Sequence, residues 1–187
     1  MDYNQYWEQI FHHNNELRSL FSSYWQQYSD MTNWQFWLVL TLLVSPLILL
    51  YFTVDRKRIF EVFFFGYTVH ILWTYADMIL ARNNLFIHPY FLVPILPYAS
   101  NMTASVLPVG FLLLYQYCTN HNKNFYLYTI LLSALFAFGF ATIEEYSGLV
   151  FFRKGMHQVY LFILDLVIAY ITYWITRLLI RFKKAAL

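Results

Sequence analysis

The stretch Phe125-Tyr-Leu-Tyr-Thr-Ile-Leu-Leu-Ser-Ala-Leu-Phe-Ala-Phe-Gly-Phe-Ala-Thr-Ile-Glu-Glu-Tyr146 decides the fold. About 22 residues at about 1.5 Å of rise are enough to cross a bilayer core of about 30 Å, and no charge occurs before the adjacent acids Glu144 and Glu145. Ser133, Ala137 and Ala141 recur every fourth residue. At about 100° of turn per residue, Glu144 falls about 20° from both Ser133 and Ala137. Small residues in a row let a second helix approach, which directs Glu144 into a bundle. Glu145, at least about a fifth of a turn further round, is directed to headgroups or water.

The rest of the chain has the same character. Its 187 residues are 60% hydrophobic and 12% charged, a balance that excludes a disordered chain and a conventional soluble domain and predicts several membrane spans. A formal charge of +2, scattered along the chain, gives no nucleic-acid footprint. Cys118 is the single cysteine, so neither an intrachain disulfide nor a cysteine-based metal site is expected, and its place late in an apolar helix predicts a buried, inert thiol. The opening Met1-Asp-Tyr-Asn-Gln lacks the basic-then-apolar order of a secretory signal, so the first hydrophobic segment is expected to be retained as a span.

Residues 1–32 are expected to form an amphipathic interfacial helix, and residues 33–187 a domain of five transmembrane helices, so the fold class is all-α. In the first segment Tyr3, Tyr6, Trp7, Ile10, Phe11, Leu17, Leu20, Phe21, Tyr24, Trp25 and Tyr28 recur at three and four. This ring-rich face suits the headgroup boundary, or equally the protein's own spans. His12 and His13, as neighbours on a helix, are expected not to face one ion.

The spans fall at about 34–53, 59–80, 94–117, 125–146 and 160–180. Glu61 lies three and four residues after Arg58 and Lys57 and reads as an interfacial ion pair. His70 and Asp77, seven apart, share a face with Gly66. Pro94 or Pro97 is expected to start the third regular helix, on which Asn101, Ser105 and Pro108 form one stripe. Pro108 should leave the carbonyl of Ala104 free. Asn101-Met-Thr matches a glycosylation sequon but is expected to be inaccessible at that depth. On the last span Asp165, Ala169, Thr172 and Thr176 share a face.

With five spans the termini lie on opposite sides. Arg56, Lys57, Arg58, Lys123, Arg177, Arg181, Lys183 and Lys184 would gather at one side, and Arg18, Arg82, Arg153 and Lys154 at the other. The positive-inside rule then predicts the N-terminus outside and the C-terminus in the cytoplasm. Asp77, Asn101, Glu144 and Asp165 all fall in the outer leaflet on small or polar faces. They predict an outward polar pocket with His70 at its floor. Three acids at low dielectric require protonation, a cation, or pairing with Arg82, Arg153 or Lys154. The competing account is that interfacial acids merely seal loops to helices. No spaced metal signature, phosphate loop or nucleophile motif occurs, and no cofactor is expected.

Leu96-Pro-Tyr-Ala-Ser-Asn-Met-Thr-Ala-Ser-Val-Leu-Pro, continued by Phe111-Leu-Leu-Leu-Tyr-Gln-Tyr, resembles the central segment of a small family of integral membrane proteins from spore-forming Gram-positive bacteria. Asp55-Arg-Lys, Asp77 and the acid at Glu144 or Glu145 fit the same pattern. The resemblance covers residues 34–182 and implies a five-helix bundle in a bacterial cytoplasmic membrane, with no activity assigned. Three functions compete. The favoured one is a pocket that binds a small cation, a proton or a lipid headgroup, within a subunit of a membrane assembly or a homo-oligomer. The second is a membrane enzyme for lipid or isoprenoid substrates using carboxylate acid/base chemistry. The third is a structural module that docks a partner through its aromatic front helix.

Overall fold

The computed structural model describes residues 1–185, and its first helix, α1 (Tyr3–Tyr28), begins on a reciprocal cap. The Asp2 carboxylate accepts from the Gln5 amide at 2.8 Å, and the Gln5 side chain accepts from the Asp2 amide at 3.0 Å, satisfying two donors that a helix start would otherwise orphan. No residue of α1 is buried. Its far end is anchored to one backbone position. Trp25 Nε1 and Ser29 Oγ each donate to the Phe91 carbonyl at 3.0 Å, and the Phe91 amide donates back to Ser29 Oγ at 2.9 Å. Phe21 and Tyr24 pack on the Phe91 ring.

Five further helices are long and apolar enough to cross a membrane: α2 (Trp34–Thr53), α3 (Ile59–Arg82), α4 (Met102–Asn120), α5 (Phe125–Tyr146) and α6 (Gln158–Ala185). The chain is thus an all-α transmembrane bundle. Successive spans run antiparallel, so the bundle has two ends. One carries the loops 83–99 and 147–157 and the anchored end of α1. The other carries Arg56–Arg58 and the 121–124 turn.

Helices α3 to α6 hold the core and α2 lies against them. α2 buries only Phe36, Val39 and Leu50, and it runs without a break through Pro46. Inside the bundle two parallel ring pairs form a column, Phe65 on Tyr115 and Phe125 on Tyr173, each 4.4 Å between centroids. Gly66 sets the α3–α4 distance, since a Cβ there would stand 2.5 Å from Leu112 Cδ1. Gly110 does the same for α4 against α5, where Phe136 Cζ would be 2.6 Å away.

Two helices contain a wide π-turn, Met102–Val106 at the head of α4 and Leu135–Phe140 in α5. In a regular helix a four-residue stripe drifts by about 40° per step. The extra residue in the α5 turn keeps Ser133, Ala137 and Ala141 on one buried face. In α4 it changes an expectation. Helical backbone begins at Ser100, two residues ahead of α4 and after Pro94 and Pro97, which belong to the connection. In π register the carbonyl that Pro108 leaves without a partner is that of Thr103, not Ala104. His70 supplies the missing donor, with Nδ1 at 2.7 Å from the Thr103 oxygen.

The two loops at the α1 end meet in a small antiparallel pairing absent from an all-helical expectation. β1 (Phe86–Ile87) pairs with β2 (Phe151–Phe152), Phe86 opposite Phe152 and Ile87 opposite Phe151. The Leu85 carbonyl accepts from the Arg153 amide at 2.9 Å, and Lys154 Nζ donates to the Asn83 carbonyl at 2.8 Å. This pairing roofs the bundle.

Candidate functional site: a buried acidic chamber

Beneath the roof lies a cavity of about 30 Å³, bounded by α3, α4, α5, α6 and the segment after β1. Each wall contributes polar groups. α3 brings Trp73 and Asp77, which share its buried face with Val62, Phe65, Gly66 and Val69. α5 brings Glu144 two residues before its end, on the stripe of Ala137 and Ala141. α6 brings Asp165, about two turns in from Gln158, and α4 brings Thr103. His88 follows β1 and points inward, its ring edge-on to Phe86 at 4.5 Å. Phe136, Met102 and Leu161 fill the remaining walls.

The polar groups are deeply buried: Asp77 and Asp165 are 2% exposed, Glu144 5% and His88 8%. Trp73 Nε1, Asp77 Oδ1, His88 Nε2 and Asp165 Oδ1 have no hydrogen-bond partner within the protein. His88 Nε2 stands 3.4 Å from Asp77 Oδ1, an ion-pair distance too long for a well-formed hydrogen bond. No Arg or Lys among the described residues lines the cavity. Arg82, Arg153 and Lys154 are exposed, and none pairs with the acids.

The opposite end of the bundle is built differently. There Glu61 pairs with Arg58 and accepts from the Tyr115 hydroxyl at 2.5 Å. Arg58 also donates to Thr119 Oγ1 at 3.0 Å, and Gln116 bridges the Asp55 amide and the Thr53 carbonyl at 2.7 and 2.9 Å. Every charge in that clasp has a partner, so it needs no ligand to explain it. The chamber's acids lack such partners, and burial makes that costly.

The structure places Asp77, Glu144 and Asp165 together around one cavity. Two other residues of the sequence reading lie elsewhere. His70 is half-buried, is spent on the Thr103 carbonyl and does not line the cavity, so it does not form the chamber's floor. Asn101 is buried at the head of α4 but does not line the cavity. Sequence reasoning missed His88 and Trp73. A signal for His88 was present, because Leu85-Phe-Ile-His-Pro is more apolar than a solvated connection requires. The sequon at Asn101 is buried along with its threonine, Thr103.

Outside the chamber, His12 and His13 are solvent-exposed, as expected of solvated histidines, yet both approach one group, which the argument from adjacency did not foresee. Their rings swing to either side of Glu16, one turn on, with Nδ1 atoms 3.5 and 3.0 Å from its Oε2. The hydrogen bond from His13 holds the Glu16 carboxyl below its usual range. Among the described residues this exposed trio is where three ligand atoms lie within 4.8 Å of one another.

No protein-family model, no curated protein and no solved structure matches the chain, so the case for a function rests on the chamber's own chemistry.

Proposed function

We propose that this integral membrane protein binds a small cation, a metal ion or a proton, in the chamber of Asp77, His88, Glu144 and Asp165. The observation that carries the reading is the contrast between its two ends. A fully partnered polar cluster closes one, while three buried acids and an imidazole face a cavity at the other without a compensating Arg or Lys. A positive occupant supplies the missing charge. The cavity's size and acidity favour an ion over a lipid headgroup, whose phosphate the carboxylates would repel.

In this reading the chamber faces outward, supported by the eight basic residues assigned to the opposite side against four on its own. The membrane is the bacterial cytoplasmic one that the family resemblance implies. α1 lies along the outer headgroup layer, its aromatic face exposed from Tyr3 to Leu20 ahead of the end that packs on Phe91.

The double variant Asp165→Asn with Glu144→Gln tests the reading in purified, reconstituted protein. The wild-type thermal midpoint should depend on added cation or on pH, and the variant should fold yet lose that dependence. A folded variant that keeps the full dependence would remove the chamber from the account.

A further inference from the structure

The chemistry of the chamber's donors narrows the occupant. We propose that it is a divalent metal ion of the zinc or manganese class, anchored by Asp77 and His88 and completed by Asp165 and Glu144. The inference rests on the cation reading above and adds the identity of the ion. Three observations lead to it.

The first is a distance. Two donors each about 2.0–2.1 Å from a tetrahedral ion stand about 3.4 Å apart. His88 Nε2 and Asp77 Oδ1 are 3.4 Å apart, and neither atom has another partner. An edge of that length is awkward for a hydrogen bond and natural for two ligands of one ion.

The second is donor type. A neutral imidazole nitrogen among carboxylate oxygens suits zinc, manganese or iron(II). Sodium, magnesium and calcium favour shells made of oxygen alone. The third is charge. Asp77, Glu144 and Asp165 are buried with no Arg or Lys beside them, and a dication offsets more of that charge than a monovalent ion does. Asp165 Oδ1 is unpartnered, and both it and Glu144 line the same cavity. Neither stands with the Asp77–His88 pair inside a 4.8 Å group of three donors, so the pair is the preformed edge and the other two carboxylates must move inward to complete the shell. Trp73 Nε1, also unpartnered, is placed to donate to a ligating carboxylate.

The exposed His12, His13 and Glu16 would take up the same metals adventitiously. The test therefore uses full-length protein carrying His12→Ala and His13→Ala, purified in detergent, dialysed against Zn²⁺, Mn²⁺, Ca²⁺ or Na⁺ and analysed for bound metal. The expected result is about one Zn²⁺ or Mn²⁺ per chain, not displaced by excess Ca²⁺. Co²⁺ should give the intense visible absorption of a four-coordinate site. Asp77→Asn and His88→Gln should each weaken binding by at least about tenfold. His88→Cys should retain Zn²⁺ while losing Mn²⁺, which separates lost ligation from lost folding. Zn²⁺ and Mn²⁺ binding that is absent, or indifferent to Asp77→Asn and His88→Gln, overturns the inference. If Na⁺, Ca²⁺ or protons alone act through Asp165 and Glu144, the metal identity falls and the cation reading stands. If no cation does, both fall.

Discussion

At the scale of single residues, Ser29 shows how little polar chemistry holds α1 to the bundle. Its fully buried hydroxyl donates to one backbone group of Phe91 and accepts from the other, acting as a one-residue stand-in for a strand. Ser29→Ala leaves the Phe91 amide buried without an acceptor, at a cost of about 1–3 kcal/mol. The measurable outcome is faster hydrogen exchange at Phe91 and a looser α1, with the spans unchanged. Nothing in the sequence marked Ser29, because a serine near a helix end reads as an ordinary cap or turn residue. Glu144 was legible for the opposite reason. Its spacing of seven from Ala137 and three from Ala141 carries a direction, and it is buried while Glu145 lies exposed, accepting from Gln158 at 2.6 Å. His70 misled, since its spacing from Asp77 was right for a shared face but took no account of the carbonyl that Pro108 strands one helix away.

At the scale of elements, the packing of α3 on α4 turns on Gly66. A leucine at that position would drive its Cβ into Leu112, whose Cβ and Cγ lie at 3.2 and 3.3 Å as well, so the whole side chain must yield. Gly66→Leu should destabilise the bundle by about 1–3 kcal/mol, read as a lower thermal midpoint in detergent, whereas Gly139→Ala should be nearly silent because its new Cβ meets only Leu135 at 3.4 Å. The spans could be read from length and apolarity, and α3 and α6 announced their inner faces through small and polar residues. The paired strands could not be read. Two residues are too few for an alternating pattern, and their partner lies more than sixty positions away. The π-turns escaped likewise, since one added residue changes phase without changing composition.

At the scale of the whole molecule, α2 stands outside the group of four because its sequence is apolar all round and specifies no inner face. The proposed topology has a direct readout, since Cys118 is buried and silent to reagents. Lys154→Cys, in the loop beside β2, should react in intact cells with a membrane-impermeant maleimide. Lys123→Cys, in the turn at the other end, should react only after permeabilisation. The reverse pattern would invert the molecule and turn the chamber toward the cytoplasm. The roof has its own corollary. It is a two-rung clasp between segments from different helix pairs, and one of its strands leads directly into His88. In the proposed function that small part would govern both admission and retention. Parting the strands would draw the imidazole away from Asp77, and the dwell time of an occupant would follow the strength of a two-residue pairing rather than the width of a pore.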